Sequence, residues 1–465
     1  MSRGFFLALF LSFAWLLSTF WHPVFGPTGF NDQRFVVSFL GLVAAIIVVF
    51  NRNDIASICP DLGQRRNLAV LLVTSLTLSL LLANHPERAI QEAGGIAGAL
   101  LMMFVVYHFF AQLELDQACQ IFYVVLVILL AIYTVNFIGS YAYVLLKHGS
   151  PSLWVVFPNF PNQRLFNHLQ SIFIPALCAA SYYFLARRWF FLCVIAVIVS
   201  LVWIAAIPYS LGRGVGLSLI FGGCVSAYFT FKGSKFFYLW VLGLVLLGGV
   251  LYWYACIDLP LRLGAEPYSY LARVLENHSG GRIEIWLFAV KGFISNPLFG
   301  IGAGHFVVAH GDVGSPHNIL MLVLFEWGLL PTLGFVWLLS VGVSCFKTAN
   351  LRGVPRGFHV SAGIWTAASA LIYSMFSGNW LTPAAQIGFA LVGGGLFRIS
   401  KAETVSGFSV KAAPRVKATD LMAALAVASS FVTFCDVAFN SDLISQASEG
   451  SWVPRYWLNG NFLVY

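Results

Sequence analysis

This chain contains very few charged residues. Only 9% of its 465 residues are charged and 59% are hydrophobic, whereas a soluble domain carries about 25% charged residues. Burying so much apolar surface in water would need an implausibly large core, and a lipid bilayer removes that need. The composition excludes an ordinary soluble domain and predicts an all-α, polytopic transmembrane protein.

Several motifs that would indicate other chemistry are missing. The eight cysteines contain no CxxC pair, and most lie in apolar segments where cysteine behaves as a small apolar residue. We therefore expect no disulfide, no metal site and no cofactor. The net charge of +8 is typical of lysine and arginine in the cytoplasmic loops of a membrane protein, and it indicates no nucleic-acid partner.

Long apolar segments dominate the chain and predict 12 or 13 membrane spans. The thirteen segments are 4–21, 35–50, 67–83, 94–110, 121–144, 169–185, 189–206, 214–231, 236–254, 319–346, 361–376, 385–397 and 421–439. The first has no small-residue cleavage site after it, so we expect a span there rather than a secretory signal. The predicted organisation is about nine spans in 1–254, a large loop at 255–318, further spans in 319–439 and an aromatic-rich outer tail at 440–465.

The distribution of cations predicts the orientation of these spans. With the N-terminus inside, sixteen of the 26 lysines and arginines lie on the cytoplasmic side and ten on the other. This agrees with the positive-inside rule, and it is clearest for Arg187, Arg188, Lys232 and Lys235. The loop at 255–318 then lies outside, in the periplasm of a Gram-negative cell.

The outer loop concentrates cations and histidines: Arg262, Arg273, Arg282, Lys291, His305, His310 and His317. Such a loop at a membrane surface indicates chemistry on an anionic, lipid-borne substrate. Apolar residues from Ile283 to Ile294 recur at helical spacing and predict an amphipathic helix. Arg282 lies in its first turn, where a helix N-terminus already favours anions. The alternative is an ion pair of Arg282 with Glu284 or Glu276.

Two further features of the loop lie close to its end. Gly300, Gly302 and Gly304 alternate along the chain, which predicts a tight turn with exposed backbone amides. The alternative is a turn that simply packs closely, and a nucleotide-binding fold is excluded because no βαβ context exists. His317 precedes an apolar run, and its ordinary pKa near 6.5 suits proton transfer.

Charged residues near the membrane are further candidates. Glu326 lies inside the run at 319–346, where a carboxylate is costly and is usually functional, and Gly328 and Pro331 are expected to break or kink that helix. Arg213 lies in a very short turn between two apolar runs. A snorkelling arginine at the interface is the alternative for Arg213.

Four segments carry a resemblance to a known family: SLGRG at 210–214, GGRIEIW at 280–286, NPLFGIGAGHF at 296–306 and HNILMLVLFEWGLLP at 317–331. With these segments the chain resembles the O-antigen ligase / Wzy-type polymerase superfamily of bacterial membrane glycosyltransferases. The resemblance implies a multi-pass protein of the bacterial inner membrane. It also implies transfer of a glycan from undecaprenyl pyrophosphate at a periplasmic active site.

The resemblance further implies roles for individual residues. Arg213 and Arg282 match the arginines that bind the pyrophosphate, and His317 matches the histidine proposed to activate the acceptor hydroxyl. Arg164 has no secure counterpart, and we add it, with Arg273, His305 and Glu326, as a substrate-binding candidate. The expected acceptor is the sugar of lipid A–core, as in ligases. A second lipid-linked repeat unit, as in polymerases, and a protein hydroxyl, as in O-linked oligosaccharyltransferases, stay open.

Two properties separate this expectation from its rivals. Arginine matches phosphate oxygens in a two-pronged way and stays charged, and the predicted outer face has no DxD motif for a metal, so we expect activity in EDTA. A transporter for lipid-linked oligosaccharides is the alternative from another class. It would be expected to show many charges within spans and a two-fold internal repeat. We find no repeat, and only Glu326 and Asp436 are clear acids within spans.

Overall fold

The computed structural model describes residues 2–17, 30–50, 66–148, 156–157, 160, 163–265, 282–310, 313–347 and 357–402. Every regular element in these ranges is a helix. The helices are α1 (Ser2–Leu16), α2 (Phe30–Phe50), α3 (Arg66–Leu81), α4 (Pro86–Ala111), α5 (Leu115–His148), α6 (Gln163–Ala186), α7 (Phe190–Tyr209), α8 (Arg213–Trp253), α9 (Leu259–Arg262), α10 (Arg282–Ser295), α11 (His305–His310), α12 (Ile319–Trp327), α13 (Leu329–Lys347), α14 (Gly357–Ser374) and α15 (Pro383–Ala402). A π-helical turn, Tyr254–Asp258, joins α8 to α9, and a 3-10 turn, Asn379–Leu381, precedes α15.

The predicted all-α class is confirmed for these residues. Five helical stretches are long and apolar enough to cross a membrane, namely Pro86–Ala111, Leu115–Lys147, Gln163–Ala186, Phe190–Tyr209 and Arg213–Arg262. Each predicted apolar segment from 4–21 to 385–397 overlaps a helix. The segment at 421–439 and the tail at 440–465 lie outside the described residues, and the total number of spans stays a prediction.

Helix α6 is the centre of the bundle. It packs against α5, α7, α8, α14 and α15, and its side chains are buried almost without interruption from Leu165 to Phe184. Small and apolar residues on all sides of the helix allow five neighbours to approach it. Because α6 begins at Gln163, its first two turns place Arg164 and His168 in the middle of one end of the bundle.

Helix α8 consists of two arms that run in opposite directions. Its backbone is non-helical at Ser234, with φ −133° and ψ 21°, and the Ser226 hydroxyl lies 2.7 Å from the Tyr238 hydroxyl. Twelve residues of straight helix would span about 18 Å, so the chain must reverse at Ser234. The arms, 213–233 and 235–253, agree with the two separate segments predicted at 214–231 and 236–254.

Helix α14 runs antiparallel to the first arm of α8. Gly357, at the start of α14, lies against Ser234, and halfway along the Trp365 indole donates to the Leu219 carbonyl at 2.8 Å. The far end of α14 lies against Gly214. The N-termini of α6 and α8 and the C-termini of α7 and α14 therefore share one end of the bundle, which we call the site end.

The opposite end of the bundle carries the other group of cations. Arg187 and Arg188 lie in the turn between α6 and α7, and Lys232 and Lys235 flank the reversal at Ser234. The structure thus separates these four cations from those at the site end, as the charge pattern predicted for this part of the chain.

The apolar run predicted as one span at 319–346 is broken. Gly328 has φ +75°, a conformation that favours glycine, and it ends α12 after nine residues. The predicted break at Gly328 is confirmed. Pro331 causes no interruption because it lies in the first turn of α13, where the missing N–H has no helical partner in any case.

Candidate functional site

The first turn of α10 is attached to the segment that carries His317. α10 begins at Arg282, and one turn later the Trp286 indole N–H donates to the Pro316 carbonyl at 2.9 Å. Pro316 immediately precedes His317, so this bond couples the positions of Arg282 and His317. The sequence indicated Trp286 as a residue of the apolar face of this helix and as the last residue of the GGRIEIW segment, without a role in the site.

His317 has an unusual backbone conformation. Its φ is +52°, in the left-handed region that residues other than glycine rarely adopt. Asn318 follows as the N-cap of α12, and its Oδ1 accepts from the Met321 N–H at 3.1 Å. Its neighbours thus hold His317 in a conformation that costs about 1–3 kcal/mol, a kind of strain that clusters at functional sites.

The surroundings of His317 keep its imidazole neutral. Burial lowers the pKa of His317, and the positive charges of Arg164 and then Arg282 lower it further, to about 4. A neutral imidazole can accept a proton at physiological pH. Arg164, Arg282 and His317 are therefore brought together, although they are far apart in the sequence.

Arg164 belongs to this group although no motif indicated it. Its side chain is exposed in the first turn of α6, and its charge is the larger of the two guanidinium influences on His317. Both Arg164 and Arg282 also act electrostatically on the hydroxyl of Tyr373. Both guanidinium groups thus lie close enough to act electrostatically on the same imidazole and phenol.

Tyr373 and His168 are polar residues of the site that sequence analysis missed. The Tyr373 ring lies against the His168 ring, with 5.7 Å between the ring centroids, and His168 Nε2 lies 2.7 Å from the Ser377 hydroxyl. Tyr373 lies inside the apolar segment predicted at 361–376 and His168 immediately before the one predicted at 169–185, and neither forms part of a motif. Their only signal was a polar side chain in or next to an apolar segment.

The backbone around Arg213 packs against Tyr373 and against Asn167, the residue before His168. A Cβ on Gly212 would lie 3.1 Å from the Asn167 amide nitrogen, and one on Gly214 would lie 3.3 Å from the Tyr373 ring. The glycines on either side allow the N-terminus of α8 to approach the site closely. Arg213 itself has an exposed side chain.

The predicted alternative for Arg282 receives no support from the described residues. Ion pairs among them include His85 with Glu87, Arg187 with Asp116 and Arg262 with Asp258. Glu284 is exposed and forms none with Arg282, and Glu276 lies outside the described residues.

The alternating glycines form a separate structure, the glycine turn, at residues 300–304. Their φ values of +70°, +121° and +73° confirm the predicted tight turn. The prediction of exposed amides is wrong, because the N–H groups of Ile301 and Gly302 donate to the carbonyls of Phe325 and Glu326 at 3.0 and 2.9 Å. The turn instead packs closely against the end of α12, which was the alternative prediction.

His305 and Glu326 hold this turn. His305 Nε2 accepts from the His85 N–H at 3.0 Å, and its Nδ1 lies 2.9 Å from the Ala303 carbonyl. Glu326 Oε1 accepts from the Phe306 N–H at 3.1 Å. Burial lowers the pKa of His305, which favours the neutral acceptor form. Substrate binding by His305 and Glu326 stays a prediction, and Arg273 lies outside the described residues.

Chemically, the site is suited to an anion and a proton. Two guanidinium groups can bind phosphate oxygens, and a neutral imidazole next to them can take a proton from a hydroxyl. Within the described ranges no three His, Cys, Asp or Glu side chains converge as metal ligands would. Independence of metal stays a prediction that chelation can test.

Comparison with known protein families found no family model that matches the chain, and comparison with curated proteins found no match either. The resemblance inferred from the four sequence segments is therefore carried forward as a proposal.

Proposed function

We propose that this chain is a membrane glycosyltransferase of the O-antigen ligase type. It would transfer a glycan from undecaprenyl pyrophosphate to the sugar hydroxyl of lipid A–core. The observation that supports this most is the convergence of Arg164 and Arg282 on a neutral His317 at one end of an apolar helical bundle. A diphosphate leaving group needs fixed cations, and a hydroxyl nucleophile needs a base.

Each residue has a role in the proposed reaction. The acceptor oxygen attacks the anomeric carbon, and the bond from that carbon to the diphosphate oxygen breaks with its electron pair staying on the diphosphate. The acceptor proton passes to His317. Arg282, Arg164 and Arg213 bind the diphosphate, and preorganised cations at a leaving group lower such barriers by several kcal/mol. No metal is required in this mechanism.

The membrane supplies the donor in this proposal. Five helical stretches are long and apolar enough to cross a membrane, and three of them, Gln163–Ala186, Phe190–Tyr209 and Arg213–Arg262, reach the site end. A polyprenyl chain can therefore remain in the bilayer while its diphosphate reaches the arginines. We assign the site end to the periplasmic face of the bacterial inner membrane, because the opposite end carries Arg187, Arg188, Lys232 and Lys235. His305 and Glu326 are assigned a supporting role through the glycine turn.

A transporter for lipid-linked oligosaccharides is the second candidate, and one observation favours it. Discontinuous helices with a polar residue at the break are typical of transporter binding sites, and α12 and α13 are interrupted at Gly328 beside Glu326. At this break, however, the carbonyls of Phe325 and Glu326 already accept hydrogen bonds from the amides of the glycine turn. The convergent cations lie elsewhere, which favours the enzyme.

The experiment that separates the two functions needs no energy source. Purified protein is reconstituted in vesicles with an undecaprenyl-pyrophosphate-linked glycan and lipid A–core, without nucleotide or ion gradient. The proposal predicts a new glycosidic product and free undecaprenyl pyrophosphate. Movement of the intact donor between leaflets with no new linkage would exclude the transferase.

The acceptor is decided by parallel reactions. Lipid A–core, a second lipid-linked repeat unit and a pilin protein are each offered as the only acceptor. Product with lipid A–core alone supports the ligase. Product only with the repeat unit indicates a Wzy-type polymerase, and product only with pilin indicates an O-linked oligosaccharyltransferase.

A further inference from the structure

A short turn between α7 and α8 leads directly to Arg213. It consists of Ser210, Leu211 and Gly212. Leu211 has φ +56°, in the left-handed region that residues other than glycine rarely adopt. Such a conformation persists only where the surrounding contacts determine it. The contacts of this turn therefore decide where Arg213 lies.

Asn167 provides such contacts from the first turns of α6. The Ser210 hydroxyl donates to Asn167 Oδ1 at 2.6 Å, and both side chains are buried. The Asn167 amide also packs on Gly212, because a Cβ on that glycine would lie 3.1 Å from Nδ2 and 3.3 Å from Cγ. The turn is thus held against α6 by a buried hydrogen bond and by close packing.

The Ser210 hydroxyl has a second acceptor within its own element. It lies 3.0 Å from the Ile207 carbonyl, in the last turn of α7. If Asn167 is removed, the hydroxyl keeps this local acceptor, so no buried hydroxyl is left unsatisfied. Loss of the bond to Asn167 therefore frees the turn to move relative to α6 without leaving an unpaired donor.

The same part of α6 carries Arg164. Asn167 lies three residues after Arg164, a spacing at which side chains on a helix are neighbours. His168 is held from another element, with Nδ1 3.0 Å from the Thr382 hydroxyl and Nε2 2.7 Å from the Ser377 hydroxyl. The first turns of α6 are therefore attached both to the turn before α8 and to the connection between α14 and α15.

We propose that Asn167 is a positioning residue that holds Arg164 and Arg213 at a fixed separation, so that together they bind the two phosphates of a lipid diphosphate. The identity of the ligand rests on the proposed function. Both arginine side chains are exposed, whereas Asn167 and Ser210 are buried. Two guanidinium groups repel each other, so a turn that is free to move would let them separate.

The fixed separation has a consequence for specificity. A diphosphate offers one phosphate to each guanidinium group, whereas a monophosphate needs only one of them. Holding the two arginines together therefore strengthens binding of a diphosphate and adds nothing to binding of a monophosphate. The pair is expected to select the diphosphate lipid.

The test measures binding by the full-length protein in lipid nanodiscs. The three probes are undecaprenyl pyrophosphate, undecaprenyl monophosphate and inorganic pyrophosphate. The wild-type protein should bind the diphosphate lipid about tenfold or more tightly than the monophosphate lipid, because a second phosphate adds charge-assisted hydrogen bonds. Asn167→Ala and Ser210→Ala should each weaken both pyrophosphate probes about tenfold and change the monophosphate affinity by less than about twofold.

Two buried polar residues close to the link provide matched controls. The Gln170 amide, three residues after Asn167, donates to the Trp203 carbonyl of α7 at 2.9 Å. The Ser200 hydroxyl donates to the Ala196 carbonyl within α7 at 2.6 Å. Gln170→Ala and Ser200→Ala should reduce thermal stability and leave the ratio of the two lipid affinities unchanged. A purely structural role for Asn167 predicts that Asn167→Ala and Gln170→Ala behave alike.

A double substitution tests whether Asn167 and Ser210 act through one bond. Asn167→Ala combined with Ser210→Ala should weaken binding of the pyrophosphate probes no more than either change alone. Independent effects would multiply to about a hundredfold and would overturn the link between the two residues.

The outcomes distinguish this inference from the function on which it rests. A lipid-affinity ratio that Asn167→Ala leaves unchanged, in a wild-type protein that binds the diphosphate lipid and transfers glycan, overturns the positioning role alone. A loss confined to the lipid probe, with inorganic pyrophosphate unaffected, also overturns it. A wild-type protein that binds none of the three probes overturns both proposals. Should Asn167→Ala fail to fold, the comparison of Ser210→Ala with Ser200→Ala decides the question with the amide in place.

Discussion

At the scale of single residues, His317 combines backbone strain with an electrostatic environment that suits a base. Burial, Arg164 and Arg282 lower the pKa of His317 to about 4, whereas the unfolded chain should have the ordinary value near 6.5. The neutral form is therefore favoured in the folded state. Its contribution to stability is fully present above pH 6.5 and is lost as pH falls towards 4, because the unfolded state then binds the extra proton.

The first prediction concerns the pH profile of transfer. For the wild-type protein, kcat/KM should fall as the pH drops to about 4, where His317 of the free enzyme becomes protonated. This fall is the acid limb of the profile. Arg164→Gln removes one cation, so the pKa of His317 should rise and this limb should move to higher pH. The limb should stay below 6.5, because burial is the larger cause. An acid limb already at 6.5 in the wild type, or one that Arg164→Gln leaves unmoved, would contradict the assignment.

Some residues of the site could be predicted and others could not. Arg213, Arg282 and His317 occur in segments with a recognisable pattern, so the sequence indicated them. Tyr373 and His168 lie inside apolar helices, and they enter the site through contacts with residues of another helix or turn, His168 with Ser377 and Tyr373 with the His168 ring. Contacts between residues about two hundred positions apart leave no periodicity or spacing in the sequence.

At the scale of secondary-structure elements, the contact between α10 and the segment before α12 determines the geometry of the site. Trp286 provides the only indole bond across this contact among the described residues. We predict that Trp286→Phe, which keeps an aromatic ring, lowers kcat about tenfold, because loss of one hydrogen bond of about 1 kcal/mol loosens His317. Steady-state transfer kinetics check this expectation.

A second tryptophan provides the control for this substitution. The Trp240 indole donates to the Ser181 hydroxyl at 2.9 Å, and it lies towards the opposite end of the bundle. Trp240→Phe should reduce thermal stability to a similar extent and leave kcat unchanged. If both variants lose the same fraction of kcat, the special role of Trp286 is wrong.

The break between α12 and α13 should not accommodate a side chain at position 328. Gly328 has φ +75°, and a Cβ there would lie 2.5 Å from the Gly300 nitrogen. Gly328→Ala is predicted to lower the free energy of unfolding by about 3 kcal/mol or more. Gly243→Ala is the control, because nothing lies within 4 Å of a Cβ at that helical position. A thermal unfolding midpoint for Gly328→Ala equal to that of Gly243→Ala would show that the break is not constrained.

Most elements followed from the hydrophobic pattern, and the exceptions have a common cause. The apolar runs predicted the helices, including both arms of α8. The pattern did not reveal that the amides of the glycine turn bind Phe325 and Glu326. Those carbonyls are free to accept because Gly328 ends α12. The burial of the amides therefore depends on a contact between the glycine turn and the end of α12, which neither segment reveals alone.

At the scale of the whole molecule, the bundle separates two groups of cations at its two ends. We predict that the site end faces the periplasm. Single cysteines are introduced at Asn296, which is exposed directly after α10, the helix that begins at Arg282, and at Lys235, which is exposed at the opposite end. In intact cells a membrane-impermeant thiol reagent should label position 296 and not 235, and permeabilisation should expose 235. The reverse pattern would contradict the proposed orientation, and the unmodified chain gives the background from native cysteines.

The convergence of the site is the feature that the sequence could least foretell. Charge distribution predicted that Arg187, Arg188, Lys232 and Lys235 share one end of the bundle, opposite the site end, because orientation depends on summed charges in loops. It did not predict that the charge of Arg164 would affect His317 more strongly than the charge of Arg282 does. That proximity depends on α6 occupying the centre of the bundle, which in turn depends on packing around its small residues.

The most direct test of the central claim is release of undecaprenyl pyrophosphate from a glycan-linked donor in the presence of lipid A–core and EDTA. The account predicts full activity for the wild type and for Arg262→Ala, a cation paired with Asp258 outside the site. It predicts a loss of about 10²–10³ in kcat for Arg282→Ala and about 10²–10⁴ for His317→Ala, with both variants folded. Wild-type activity that EDTA abolishes, or full activity in folded Arg282→Ala or His317→Ala protein, would contradict it.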